Sequence, residues 1–273
     1  MKYLVTGSKG QVGSAVKKKT GAVGLDREDS DIEQDISYPE VKEKIIEEEP
    51  DVVVHTAAFH DLDAAEENPE KANEVNVEGT RYVGEAAEEL DAHLIFISTD
   101  YVFDGERGDY SEEDEVRPIS VYAKNKVEAE EVVREKCSKY TILRPSVIFN
   151  GEHSNFFTWA KGELENGGDV AAITDQTCCP TYAPNLADYI KEAAEKGITG
   201  TYHATGDSKV TRYESVQIMN QELELGGTVN RGKMEDLPWE AHRPKDSSLS
   251  LGKIKEDFET KPLSLAEAFR RMK

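Results

Sequence analysis

The chain is poor in cysteine and in basic residues, and it has no long apolar run. Three cysteines occur in 273 residues: Cys137, Cys178 and Cys179. An odd number with one adjacent pair makes no disulfide framework, and the spacing matches no metal site. They read as ordinary thiols of a reducing compartment. Lys and Arg number 33 against 55 Asp and Glu, a formal net charge of -22. Such a surface repels nucleic-acid phosphates and anionic lipid, so neither is an expected partner. A phosphate-bearing ligand must then be held locally, by helix N-termini, backbone amides and a few arginines. No stretch approaches the roughly 20 apolar residues that span a bilayer. The chain enters "KYLVTG" without a signal-peptide pattern. The expectation is a soluble, cytoplasmic protein.

What the sequence does have is alternation. Short apolar runs ("KYLVTG", "GAVGLD", "DVVVHTAAF", "HLIFIST", "YTILRPSVIF") are separated by charged stretches of helical period. The valine run in the third suits a strand covered on both faces. This order predicts an α/β fold, a doubly wound parallel Rossmann sheet with helices on both faces. Residues 1–150 read as the dinucleotide-binding domain. Residues 151–273 read as a smaller, mixed substrate-binding region interleaved with returning sheet elements, including a helix capped by Thr211.

The first strand ends in "TGSKGQVG", with Gly7, Gly10 and Gly13 at three-residue spacing. A strand precedes and a helix follows, the context in which such glycines let a backbone approach a pyrophosphate at a helix N-terminus. Asp26 closes the second strand, where an acid binds adenosine ribose hydroxyls and favours NADH. Arg27 beside it suits a 2′-phosphate and favours NADPH, so both cofactors stay open. Asp35 and Ile36, ahead of the second helix, are placed to flank adenine.

Tyr122 and Lys126 in "VYAKNKVEAE" lie four apart, on one face of a helix. Alone, that pair is common by chance and fits a solvated face better. Its place after a glycine turn and after Ser98 and Thr99 of "FISTDYVF" points instead to a reactive tyrosine. A nearby ammonium would lower the phenol's pKa, and a hydroxyl at a strand end would position a carbonyl. Arg243, in "HRPKDSSL", suits bidentate binding of a diphosphate.

These pieces, together with "DAAE", "NVEGT", "STDYVFDG", "DQTCCPT" and "NLAD", resemble the extended short-chain dehydrogenase/reductase family, and within it the dTDP-4-dehydrorhamnose reductase group. The resemblance runs along nearly the whole chain. It implies reduction of the C4 keto group of a nucleotide sugar by NADPH or NADH, without a metal; a homodimer is the candidate assembly. Tyr122 would then be the proton donor, Lys126 its partner and ribose ligand, and Thr99 the carbonyl ligand. Asp100 would touch the sugar. Gly10, Gln11 and Val12 match the pyrophosphate turn, and Asp26, Asp35, Ile36, Ala57 and Ala58 the adenosine and nicotinamide side. Val147 stands where many members have tryptophan, so the sugar's identity stays open. Two other readings fit the same pieces: a nucleotide-sugar epimerase, and a non-catalytic regulatory subunit like the beta subunit of methionine adenosyltransferase.

Overall fold

The computed structural model describes residues 1–273. In chain order the elements are β1 (Tyr3–Thr6), α1 (Gln11–Thr20), β2 (Val23–Asp26), β3 (Ile32–Glu33), α2 (Glu40–Glu47), β4 (Val52–His55), α3 (Leu62–Glu67), α4 (Pro69–Asn73), α5 (Gly79–Glu89), β5 (His93–Ile97), α6 (Val121–Lys136), β6 (Tyr140–Arg144), β7 (Ser146–Phe149), α7 (Phe156–Glu165) and β8 (Asp169–Ile173). Then come β9 (Thr177–Cys178), β10 (Pro180–Tyr182), α8 (Ala183–Lys196), β11 (Gly200–His203), β12 (Val210–Thr211), α9 (Arg212–Leu223), β13 (Thr228–Gly232), α10 (Gly252–Asp257) and α11 (Leu265–Arg270).

Seven strands form one parallel sheet in the order β3-β2-β1-β4-β5-β6-β11. The chain winds outward from β1 to β3, then returns and winds the other way from β4. The reversal leaves a crevice at the C-terminal ends of β1 and β4, where ligands of such sheets bind. Both faces are covered, and that explains the near-continuous apolar strands: Val52, Val53 and Val54 are all buried. One face packs Val12, Val16, Leu186, Tyr189 and Ile254 from α1, α8 and α10. The other packs Val41, Ile45, Val83, Ala87, Ala129 and Val133 from α2, α5 and α6. A separate core, including Phe149, Phe157, Leu164, Val216 and Phe269, joins α7, α9 and α11 to the two-stranded β8–β13 sheet. The late strand β11 returns to the main sheet beside β6. No helix is long and apolar enough to cross a membrane.

One segment differs from its sequence reading. "YTILRPSVIF" is two strands, not one. Pro145 has no N–H to give a ladder, and Val147 sits at φ +38. The chain leaves the main sheet there, and β7 pairs with β10 instead. After Asn68, α4 and α5 are joined by a π-helical stretch, Glu74–Glu78. From it the Asn76 side chain brackets Phe59, accepting its N–H at 2.8 Å and donating to its carbonyl at 3.0 Å. This clamps the loop after β4 at the crevice, in keeping with the tendency of π-bulges to occur at functional sites.

Candidate active site

The glycine turn is built by close approach. Gly7 has φ +67, and a Cβ there would lie 2.7 Å from the Ala57 amide nitrogen. A Cβ on Gly13 would lie 2.1 Å from the Gly7 carbonyl oxygen. The N-cap of α1 is Gly10, and no side chain caps it. Its first N–H groups therefore keep their capacity for an anion. A pocket of about 520 Å³ opens from this turn, lined by Gly7, Gly10, Asp26, Arg27, Asp35, Ile36, Ala57 and Ala58 among others. The uncapped helix and the glycine cradle fit a dinucleotide pyrophosphate. Asp26 also fixes the turn, because its carboxylate accepts the Lys9 and Arg27 amides, both at 2.9 Å. Asp35 turns the chain into α2 by accepting the Ser37 amide and hydroxyl. The Gln11 side chain reaches outward, donating to the Ile148 carbonyl and accepting from Asn155.

The glycines divide by role, and substitution should show it. Gly10 has an ordinary φ of -73, and its added Cβ would meet only the Gly7 carbonyl, at 3.3 Å. Gly10→Val should fold and lose dinucleotide affinity by roughly 10-fold or more, since a few lost hydrogen bonds to charge suffice for that. Gly13→Val should fail to fold, because its clash is with backbone. A Gly10→Val variant with normal dinucleotide titration would remove the turn from the site.

A second cleft of about 590 Å³ shares Gly10, Thr56, Ala58 and His60 with the first. Its walls bring together Gln11, Val12, Thr99, Asp100, Tyr122, Lys126 and Val147. Larger hollows, of about 670 and 870 Å³, lie on the α9–β13 surface and around Met1, Asp51 and His93, away from these groups. Thr99 caps a short 3-10 turn at the end of β5. Tyr122 lies in the first turn of α6, whose start is fixed by Ser120 accepting from the Ala123 amide and by Glu66 accepting from the Val121 amide. Lys126 follows one turn later and donates to the Ile97 carbonyl at 2.7 Å. Its ammonium also stands 4.0 Å from the centre of the Phe96 ring.

Electrostatics here differ from the sequence reading, in which Lys126 pulls the Tyr122 phenol down. Instead burial, then the Asp100 charge, push that phenol above its ordinary value, opposed by the Thr99 hydroxyl. Lys126 itself is the lowered group: burial brings its pKa to about 7, against a smaller upward pull from Glu130. His55, behind it, is held neutral at about 3 by burial and by the Lys126 charge. Its ring is fixed between the hydroxyls of Thr6 and Thr80.

The stripe on α6 continues beyond the Tyr122–Lys126 pair. Tyr122, Lys126, Glu130 and Arg134 succeed one another at four-residue intervals. Glu130 is buried and accepts from Arg144 at 2.8 and 2.6 Å, from Ser98 at 2.6 Å and from Arg134 at 2.7 Å. Ser98 is thus committed to anchoring α6 on the sheet, while Thr99 beside it caps the 3-10 turn at the cleft. The four-residue period is the sequence signal that points to Glu130.

Asp100 is also committed. Its carboxylate accepts from Ser146 at 2.6 Å, Ser247 at 2.5 Å and Thr99 at 3.2 Å. The "STDYVFDG" and "RPKDSSL" segments are therefore one packed unit, with the Asp246 amide donating to the Gly105 carbonyl. Arg243 departs furthest from its expected role. Both its terminal nitrogens donate to Asp63 of α3, at 3.1 and 2.8 Å, and it stacks on Trp239 at 4.1 Å. Hydrogen bonding from Arg243 brings the Asp63 carboxyl down to about 2. Asp63 also accepts the Glu240 and Ala241 amides. The pair straps the 240–243 loop to α3. Arg243→Ala and Asp63→Ala should each cost about 1–2 kcal/mol, a charge-assisted bond weakened by the solvent that reaches Asp63. The double variant should cost little more than either alone. Urea denaturation tests this, and a loss equal to the sum of the two singles would disprove the coupling.

The three cysteines are buried free thiols. Burial raises Cys137 and Cys178 to about 12 and Cys179 to about 11, so none is a nucleophile at neutral pH.

A parallel sheet with a glycine turn at its switch point, and a hydroxyl, phenol and ammonium at its strand ends, defines a Rossmann-type protein of the reductase and epimerase class. The chain belongs to the RmlD substrate binding domain family, whose profile matches residues 1–273. It is 33% identical to the dTDP-4-dehydrorhamnose reductase of Aggregatibacter actinomycetemcomitans, covering 100% of this chain and 98% of that one. It is 32% identical to the Escherichia coli K12 enzyme of the same name, covering 94% and 92%. A crystal structure of dTDP-4-dehydrorhamnose reductase from Bacillus anthracis in complex with NADP superposes with a TM-score of 0.93, at 27% identity, covering 100% and 99%.

Proposed function

We propose that this protein is a cytoplasmic NAD(P)H-dependent reductase that acts on the C4 keto group of a nucleotide-activated sugar, in the manner of the dTDP-4-dehydrorhamnose reductases. The observation that carries this is the convergence of Thr99, Tyr122 and Lys126 on one cleft that is continuous with the glycine-turn pocket. Family membership over residues 1–273 supports the substrate class.

A reduced nicotinamide, when bound, supplies the hydride. The chain's own groups do the rest. The glycine turn and the α1 N-terminus bind pyrophosphate, and Asp26 and Arg27 lie where the adenosine half would be read. The Thr99 hydroxyl orients the sugar carbonyl and stays within reach of the Tyr122 phenol. A phenol raised by burial remains protonated at neutral pH, which suits a proton donor. Lys126 holds ribose and, while charged, steadies the phenolate left behind.

The test is consumption of NADH and NADPH, followed optically, against a panel of nucleotide 4-ketosugars. Turnover with at least one of them is expected. Retention of a tightly bound oxidised cofactor, with sugar interconversion and no net consumption, would replace this reading with an epimerase.

A further inference from the structure

We propose that Arg212 is the diphosphate ligand of the substrate, the role that the sequence suggests for Arg243. The inference rests on the nucleotide-sugar reading above. Arg212 is the first residue of α9, and its backbone is set by a capping box in which Thr211 accepts from the Glu214 amide and Glu214 accepts from Thr211. Its side chain lines the catalytic cleft on the wall formed by the smaller lobe. Its guanidinium carbon sits 5.2 Å from the centre of the Phe156 ring. Its Nη1 is buried and has no hydrogen-bond partner. An arginine nitrogen taken out of water and left unmet is costly, and an anionic oxygen is the partner that best offsets the cost.

Three other basic side chains near the cleft are already bonded. Lys126 is bonded to Ile97. Arg243 is held by Asp63. His153 is bonded at Nε2 to the Lys9 carbonyl and at Nδ1 to Asn150. Arg212 lines the cleft yet forms no ion pair, in a chain of net charge -22 where acids outnumber bases. Its charge reaches the buried Tyr101 phenol on the same cleft wall. The chemistry of the substrate agrees with this placement. In a pyranose, C1 lies across the ring from C4. A sugar with its C4 carbonyl at Tyr122 therefore directs its C1 diphosphate away from α6 and toward the opposite lobe, where Arg212 is.

The experiment is calorimetric titration of the full chain with thymidine diphosphate, uridine diphosphate and the two free nucleosides, for the native protein, Arg212→Met and Arg212→Lys. NADPH titration of each serves as the fold control. The native protein should bind at least one diphosphate. Arg212→Met should weaken that binding by roughly 10- to 100-fold, the span for a lost charge-assisted contact. Arg212→Lys should fall between them, having kept the charge and lost the fork. NADPH affinity and any nucleoside affinity should not move. Equal diphosphate affinity in native protein and Arg212→Met would overturn the assignment while leaving the nucleotide-sugar reading intact. Weakened NADPH binding in both variants would show that Arg212 supports the lobe and not the ligand. A native protein that binds neither diphosphate would bring down the nucleotide-sugar reading, and this inference with it.

Discussion

Replacing Tyr122 by Phe should lower kcat by roughly 10²- to 10⁴-fold, the range for loss of a general acid, and should leave the fold and dinucleotide affinity unchanged. The ring keeps its packing in the variant, which lacks the hydroxyl alone. Nothing in the α6 N-terminus depends on that hydroxyl, since Ser120 and Glu66 fix the first turn. Neighbouring groups cannot take over the proton. Thr99 is a poor acid, Asp100 is committed to Ser146 and Ser247, and Lys126 points at the Ile97 carbonyl. The comparison needs a substrate that the native protein reduces, with kcat and KM measured separately. An acid that acts in the transition state lowers kcat and kcat/KM together. A variant with near-native kcat would leave Tyr122 as a wall of the cleft.

Local patterns make the sheet and the cleft legible in the sequence. The glycine turn, the valine run of β4 and the four-residue spacing of Tyr122 and Lys126 each report on one element, and a parallel sheet collects strand ends in one place. The illegible parts depend on long-range partners. Nothing near Asp100 in the sequence announces Ser247, 147 residues away, whose hydroxyl donates to the carboxylate expected to touch the sugar. Arg243 reads as free until Asp63 is seen beside it, 180 residues apart in the chain. The sign of the Tyr122 shift is hidden because an i,i+4 spacing places a charge near a phenol but says nothing of burial, which dominates here. The Val147 conformation is equally hidden. A β-branched residue at φ +38 is costly by about 1–3 kcal/mol, and it sits just past the break between β6 and β7.

Lys126→Met should abolish most activity, by roughly 10³-fold or more, since it removes both a ribose ligand and the charge that steadies a phenolate. Two pH dependences test the cause. In the unliganded native protein burial lowers the lysine to about 7, so its charge is lost as pH rises through that value. The kcat/KM profile, which reports the free enzyme, should carry an alkaline limb there. Any residual activity of the variant should lack this limb and persist to higher pH, because the raised Tyr122 phenol remains protonated. Stability should respond with its own slope. Between about 7 and the ordinary 10.5 the unfolded chain holds a proton on Lys126 that the folded chain has released. Native stability must then rise with pH across that window, and the methionine variant loses this contribution. At a single pH the balance is close. Removing a buried charge gains about 1–4 kcal/mol, while losing a charge-assisted bond to the Ile97 carbonyl costs about 1.5–3 kcal/mol. The slope is decisive where the single midpoint is not. In urea denaturation at pH 6 and pH 9, the variant should compare best with the native protein at pH 6 and fall behind toward pH 9. A difference that stays constant across that range would mean that Lys126 keeps its proton in the fold, and the charge would then be a permanent feature of the site.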